Sequence, residues 1–198
     1  MKRSLLLLPA IALLTGCGGK TPDPQQTFFD NVSVLCGKAF NGRLVSNDEV
    51  DAPLAAEPMV MYVRDCSDTE IRIPFIIGEN RSRTWVITKS DDSLTLKHIH
   101  RHEDGEEDVL SNYGGTTDDE GKGTRQNFPA DQFSKDLFIR EDIPQSADNV
   151  WAIEIIEGEK FAYELTRPER FFRVEFDLLS HADIPPPVWG EEQEKTEE

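Results

Sequence analysis

Arg81-Ser82-Arg83-Thr84-Trp85-Val86-Ile87-Thr88-Lys89-Ser90-Asp91-Asp92-Ser93-Leu94-Thr95-Leu96-Lys97-His98-Ile99-His100-Arg101-His102 sets Trp85 and Ile87 before two aspartates, and Leu94, Leu96, His98, His100 and His102 after them, at a spacing of two. Successive side chains of a strand point to opposite faces, so this period of two reads as a β-hairpin turning at Asp91-Asp92. A tight turn there sets Ile87 opposite Leu96, Trp85 opposite His98, Arg83 opposite His100 and Arg81 opposite His102. Leu94 and Leu96 share a face with the three histidines, whereas Thr95, Lys97 and Arg101 point the other way, toward solvent.

The next turn signal is Asp104-Gly105, which favours a two-residue type I′ connection. Around it His102 faces Glu107, His100 faces Val109, His98 faces Ser111 and Leu96 faces Tyr113, with Arg101 opposite Asp108 on the outer side. The same alternation recurs at Met59, Met61 and Val63, at Ile71, Ile73, Phe75 and Ile77, and at Phe172, Val174, Phe176 and Leu178. Residues 150–157 and 160–167 flank Gly158 as a further hairpin whose register stays open, because both of its faces carry an acid. Pro74 within a strand pattern implies an edge or a bulge, since proline cannot donate to a ladder. Nine or ten short strands with tight turns predict a mainly β domain, an antiparallel lipocalin-like barrel, with a β-sandwich as the alternative. One helix is expected before them. Phe28, Phe29, Val32, Leu35, Cys36, Ala39 and Phe40 recur at helical spacing, Thr27 caps the start and Asn41-Gly42 ends it.

The N-terminus reads as an export signal. Lys2 and Arg3 precede an apolar run too short to span a bilayer, and Leu14-Thr15-Gly16-Cys17 forms a bacterial lipobox. Residues 1–16 are then a lipoprotein signal peptide, Cys17 the site of lipid attachment and residues 17–26 the tether. Residues 27–180 form the barrel-like domain, and 181–198 a Pro-rich then acidic disordered tail. Gly18 after the lipid-bearing cysteine favours the outer membrane of a Gram-negative bacterium, at its periplasmic face. Cys36 and Cys66, exported together, are expected to form a disulfide. The formal charge of −17 excludes the basic footprint of a nucleic-acid binder, so the expected partner is the membrane, through lipidated Cys17.

One group of residues carries chemistry. Arg81, Arg83, Trp85, His98, His100, His102, Glu107 and Tyr113 are predicted to gather on the inner face toward one rim. Three readings stand. His98, His100 and His102 could chelate zinc or copper, although Arg81 and Arg83 opposite them would repel a cation. The guanidiniums could instead fork onto a small anionic ligand, with histidine as an added donor. The third possibility is a structural network in which His, Arg and Glu satisfy one another. Nucleophile elbows, phosphate loops and metalloprotease helices are missing from the sequence, so no catalytic residue is assigned and no cofactor is expected beyond the zinc or copper alternative.

Phe28-Phe29-Asp30-Asn31, residues 35–40, residues 97–108 with their HRHEDG core, Tyr113-Gly114-Gly115 and residues 171–178 together resemble a family of uncharacterised lipoproteins and secreted proteins from Gram-negative bacteria. The likeness spans most of residues 28–179. It implies an exported single domain and brings no activity with it. The expectation is therefore a lipid-anchored, non-enzymatic barrel that binds a small ligand or supports an envelope process, with a metal-dependent enzyme or a purely structural lipoprotein as alternatives.

Overall fold

A computed structural model describes residues 22–191. The strands are β1 (Lys38–Leu44), β2 (Met59–Val63), β3 (Asp65–Cys66), β4 (Glu70–Ile77), β5 (Asn80–Lys89), β6 (Leu94–His100), β7 (Tyr113–Thr116), β8 (Arg125–Pro129), β9 (Val150–Ile156), β10 (Lys160–Arg167) and β11 (Arg170–Asp177), of which β1, β3 and β8 lie outside the period-two segments of the sequence. Every ladder is antiparallel, and the spatial order β7-β6-β5-β4-β2-β1-β11-β10-β9-β8 makes one continuous sheet, with β3 on β4. The ends of this sheet curl toward each other and meet through a bridge between Gly115 and Ala130, so the fold is a nearly closed barrel and not a sandwich. Closure explains Gly114-Gly115, which lies in β7 and is not a turn. A Cβ at Gly115 would stand 1.9 Å from the Pro129 carbonyl oxygen, and one at Gly114 1.8 Å from that of Leu96. Only glycine allows backbones so close.

Inward residues of all strands fill the barrel. Phe40, Met61, Ile73, Ile87, Phe128, Trp151, Phe161 and Phe176 are at most 1 % exposed, so the interior is a packed core rather than a deep calyx. The β9–β10 register pairs Tyr163 with Ile153 and Glu164 with Ala152, which turns Glu154 and Glu164 outward, where Arg125 and Arg173 neutralise them. At Pro74 the partner strand breaks: Met61 pairs with Phe75, but Asp65 pairs with Arg72, a bulge that falls where proline offers no N–H.

Helix α1 (Pro24–Ser33) begins and ends earlier than its sequence pattern suggested. Asp23 caps it, its carboxylate accepting from the Gln25 N–H at 2.9 Å, and Pro24 opens the first turn. Pro24 to Gln26, read as tether, are therefore helical. At the other end Gly37, at φ +79°, reverses the chain, and Ala39 and Phe40 enter β1. Cys36 sits in this turn and is bonded to Cys66 in β3, with Cα atoms 6.3 Å apart. A second helix, α2 (Gln132–Arg140), was not foreseen. Asp131 caps it through the Ser134 N–H at 2.9 Å, and Ser134 Oγ donates to the Gly114 carbonyl and accepts from its N–H, locking α2 over the barrel seam. Two 3-10 segments, Glu49–Ala56 and Pro144–Asp148, complete the helical content of the described residues.

Residues 181–191 correct the expectation of a disordered tail. The Ala182 N–H donates to the Ala39 carbonyl, Val188 is buried, and the Trp189 N–H reaches the Arg81 carbonyl, so the segment straps the outer face of the sheet. The signal peptide, Cys17 and residues 192–198 lie outside the described residues.

Candidate functional site

Arg83 near the start of β5, His100 at the end of β6, Ile77 at the end of β4 and Leu165 near the end of β10 mark one end of the barrel. There the core stops short of the rim and leaves a cavity of about 210 Å³, lined among others by Arg83, Trp85, His98, His100, Tyr113 and Tyr163. The Asp91-Asp92 hairpin has the register its turn dictates, Arg83 opposite His100 and Trp85 opposite His98. The following hairpin does not. His98 faces Tyr113 and Leu96 faces Gly115, while Arg101 bridges to Glu107, so residues 108–112 bulge out between the two pairings. Asn112, at φ 58°, takes up the excess, and its amide donates to the Glu107 carboxylate. A slip by an even number of residues preserves facing, which is why Tyr113 still points inward.

Three of the eight predicted residues are thereby removed from the cavity. His102 is exposed in the hairpin tip with its imidazole 3.7 Å from Asp108, not beside Glu107. Glu107 is exposed and turned to Asn112. Arg81 lies beyond the ladder and donates to the Pro187 carbonyl at 2.8 Å, under the strap. Arg83, Trp85, His98, His100 and Tyr113 remain together.

Their hydrogen bonds define their states. The Tyr113 carbonyl can only accept, so His98 Nδ1, 3.2 Å away, carries the proton, and His98 Nε2 accepts from the Tyr163 hydroxyl at 2.8 Å. Burial, helped by the neighbouring His100 and Lys97, pushes His98 down to about 3 against the Tyr113 hydrogen bond. His100, whose Nε2 is 3.1 Å from the Tyr113 hydroxyl, is pushed down to about 4 by burial and by Arg83. Burial likewise raises Tyr113 to about 12 and lifts Tyr163 well above its usual value. All four groups are neutral at physiological pH. The three histidines do not converge on a point, both nitrogens of His98 are engaged, and no metal-sized group of three His, Cys, Asp or Glu side chains occurs among the described residues.

Positive charge in the cavity comes from two arginines that the rest of the fold treats differently, and Asp51 beside them is the acid in the lining. Arg170 forks onto Asp51 at 2.6 and 2.7 Å and reaches Asp48 at 2.8 Å, which pins the Glu49–Ala56 segment beside the mouth. Arg83 donates to the Asn80 side-chain oxygen at 3.0 Å and, among the described residues, has no carboxylate partner. Burial works against its charge. The floor beneath it is aromatic: Trp85 stacks on Phe75 at 4.6 Å and on Tyr163 at 4.4 Å, and His98 stacks on Tyr113 at 4.7 Å.

Sequence reasoning missed Asp51, Phe75, Tyr163, Arg170 and Phe172, which also line the cavity. Parity already set Phe75 and Phe172 in alternating series, and the acids on both faces of residues 160–167 hid the facing of Tyr163; nothing local says which end of the barrel the three share. Comparison with protein-family models, curated proteins and solved structures returns no match. No helix among the described residues is long and apolar enough to cross a membrane, which leaves β-barrel spanning untouched.

Proposed function

We propose that this protein is a non-enzymatic lipoprotein, held by Cys17 at the periplasmic face of a Gram-negative outer membrane, whose barrel mouth binds a small anionic molecule with a flat apolar part. The observation that carries the reading is Arg83, a half-buried guanidinium that has no carboxylate partner among the described residues and stands above an aromatic floor. A desolvated cation of this kind is costly unless an anion completes it. The guanidinium offers a fork for a carboxylate, Trp85 and Tyr113 offer flat apolar contact, and neutral His100 adds a hydrogen-bonding group without a second charge. At about 210 Å³ the cavity is smaller than the roughly 300–1,000 Å³ of drug-sized sites, which limits the ligand to a small acid.

The chain's entry supports the same assignment. Pro22 and Asp23 lie beside Asp91 and Asp92, at the end of the β5–β6 hairpin remote from Arg83 and His100. An anchor at residue 17 then leaves the mouth turned away from the bilayer, open to water-borne ligands. Asp23, Asp91, Asp92, Asp118, Asp119 and Glu120 surround that entry and keep the barrel from lying flat on anionic lipid.

Benzoate, acetate and benzyl alcohol, titrated against the purified protein by calorimetry, test the reading. Benzoate should bind more tightly than acetate, and Arg83→Gln should weaken it by about tenfold or more while leaving benzyl alcohol unaffected. No saturable benzoate binding, or binding indifferent to Arg83→Gln, would overturn the assignment.

A further inference from the structure

On the opposite side of the sheet, a second cavity of about 390 Å³ lies between the strands and the 181–191 strap. Arg64, between β2 and β3, Arg72 of β4 and Arg101, just past β6, line its floor, with the Thr84 side of β5, and Trp189 of the strap forms a wall. Three guanidiniums thus line one cleft of a chain with formal charge −17. Two have a carboxylate beside them in sequence: Arg64 is 2.5 Å from Asp65, and Arg72 is 2.9 Å from Glu70. Arg101 donates to the Gly105 carbonyl at 2.9 Å and has no carboxylate partner among the described residues. The strap supplies one more anion. Glu191 inserts its carboxylate against Arg64, and its Oε2 is fully buried.

We propose that this cavity is a site for a small phosphate ester, in which Glu191 is a built-in carboxylate that the ligand displaces. A planar carboxylate is satisfied by one or two guanidinium forks, whereas a tetrahedral phosphate presents three oxygens and close to two negative charges, matching donors that arrive from three separate segments of the chain. Asp65, which also lines the cavity, and Glu191 both lie on Arg64, and Glu70 lies on Arg72, so among the described residues Arg101 is the guanidinium of the three left without a carboxylate. The strap is a movable roof. It is held by Val188, by the Ala182 and Trp189 N–H groups, by the Arg81 hydrogen bond to the Pro187 carbonyl, by His181 against Phe40 and by Glu191, with one isolated bridge to Ala39 and no longer ladder. Trp189 at the wall reports occupancy. The site is independent of the barrel mouth, since its residues lie on the outer face.

Trp189 fluorescence and calorimetry with inorganic phosphate and glycerol 3-phosphate at low ionic strength test it. One saturable site is expected, tightened about tenfold in Glu191→Gln, where the competing charge is gone, and weakened about tenfold or more in Arg101→Gln. Arg83→Gln at the mouth should leave phosphate binding unchanged, and benzoate should not compete. Dihexanoyl phosphatidate, below its micellar concentration, identifies the source of the ester: tighter binding than glycerol 3-phosphate marks a lipid headgroup, equal or weaker binding a free ester. Absence of phosphate binding in both wild type and Glu191→Gln, or indifference to Arg101→Gln, would overturn the proposal.

Discussion

His98 is neutral because its ring is 3 % exposed and both its nitrogens are matched to the neutral imidazole. Its folded value of about 3 lies below the ordinary 6.5, so between those values the unfolded chain binds the proton that the native state refuses. Stability contributed by this group is therefore complete above about pH 6.5 and declines as pH falls toward 3. From pH 7 to pH 5 the loss should be about 2 kcal/mol for His98, with a similar contribution from His100, whose value is about 4. Urea denaturation across that range checks it. A His98→Phe, Tyr163→Phe double variant, which removes both ends of the hydrogen bond, should show a flatter slope; an equally steep one would assign the acid sensitivity elsewhere. Arg83 and His102 illustrate how residues predicted alike separate. Arg83 lies within a regular ladder and keeps its partner His100, whereas His102 falls past the end of β6, where the hairpin bulges.

The turn after α1 depends on a cross-link at the scale of elements. The Cys36–Cys66 disulfide closes a loop of sequence separation 30 and fixes the α1–β1 corner to β3, an element of only two residues. Cys36→Ser should cost about 2–4 kcal/mol, measured by denaturation of oxidised protein against wild type. A loss well under 1 kcal/mol would mean that packing alone holds the corner. On the outer face of β8 to β11, Arg173 binds Glu154, Glu164 and Glu175, while Arg125 and Lys160 share the same carboxylates. Although burial opposes it, hydrogen bonds and the charge of Arg173 and its neighbours hold the three carboxyls below their usual range. Their contribution is present above about pH 4.3 and is lost as pH falls through the lowered values. Arg173→Leu leaves three acids facing fewer cations and should destabilise the protein by about 2–4 kcal/mol at pH 7, with a shallower loss below pH 4.3. Thermal unfolding at pH 7 and pH 4 distinguishes this from a screened surface contact, whose removal would change little.

Across the whole molecule, the chain enters at one end of the barrel, the mouth opens at the other, and the strap crosses the outer wall. The proposed anchor is tested at this scale. Cys17→Ala should release the protein from membranes with loss of lipid mass, since the thioether cannot form; unchanged fractionation would remove the anchor from the proposal. The sequence by itself determined β2, β4, β5, β6, β9, β10 and β11, their facing outside the β9–β10 hairpin, and the Asp91-Asp92 register, because a period of two and a tight turn are local properties of the backbone. It also determined the Cys36–Cys66 pairing, once Cys17 was set aside. The extent of α1 was misread because Leu35, Ala39 and Phe40 fit helical spacing and yet serve a turn and a strand, a choice made by Gly37 and by the β1–β2 ladder. Only the tertiary structure decided that β7 meets β8, that Tyr163 bonds His98, that Asp51 occupies Arg170 while Arg83 meets Asn80 and no carboxylate among the described residues, and that residues 181–191 dock. Those facts depend on contacts between residues far apart in the chain, and no periodicity within a segment records which distant segment will cover it.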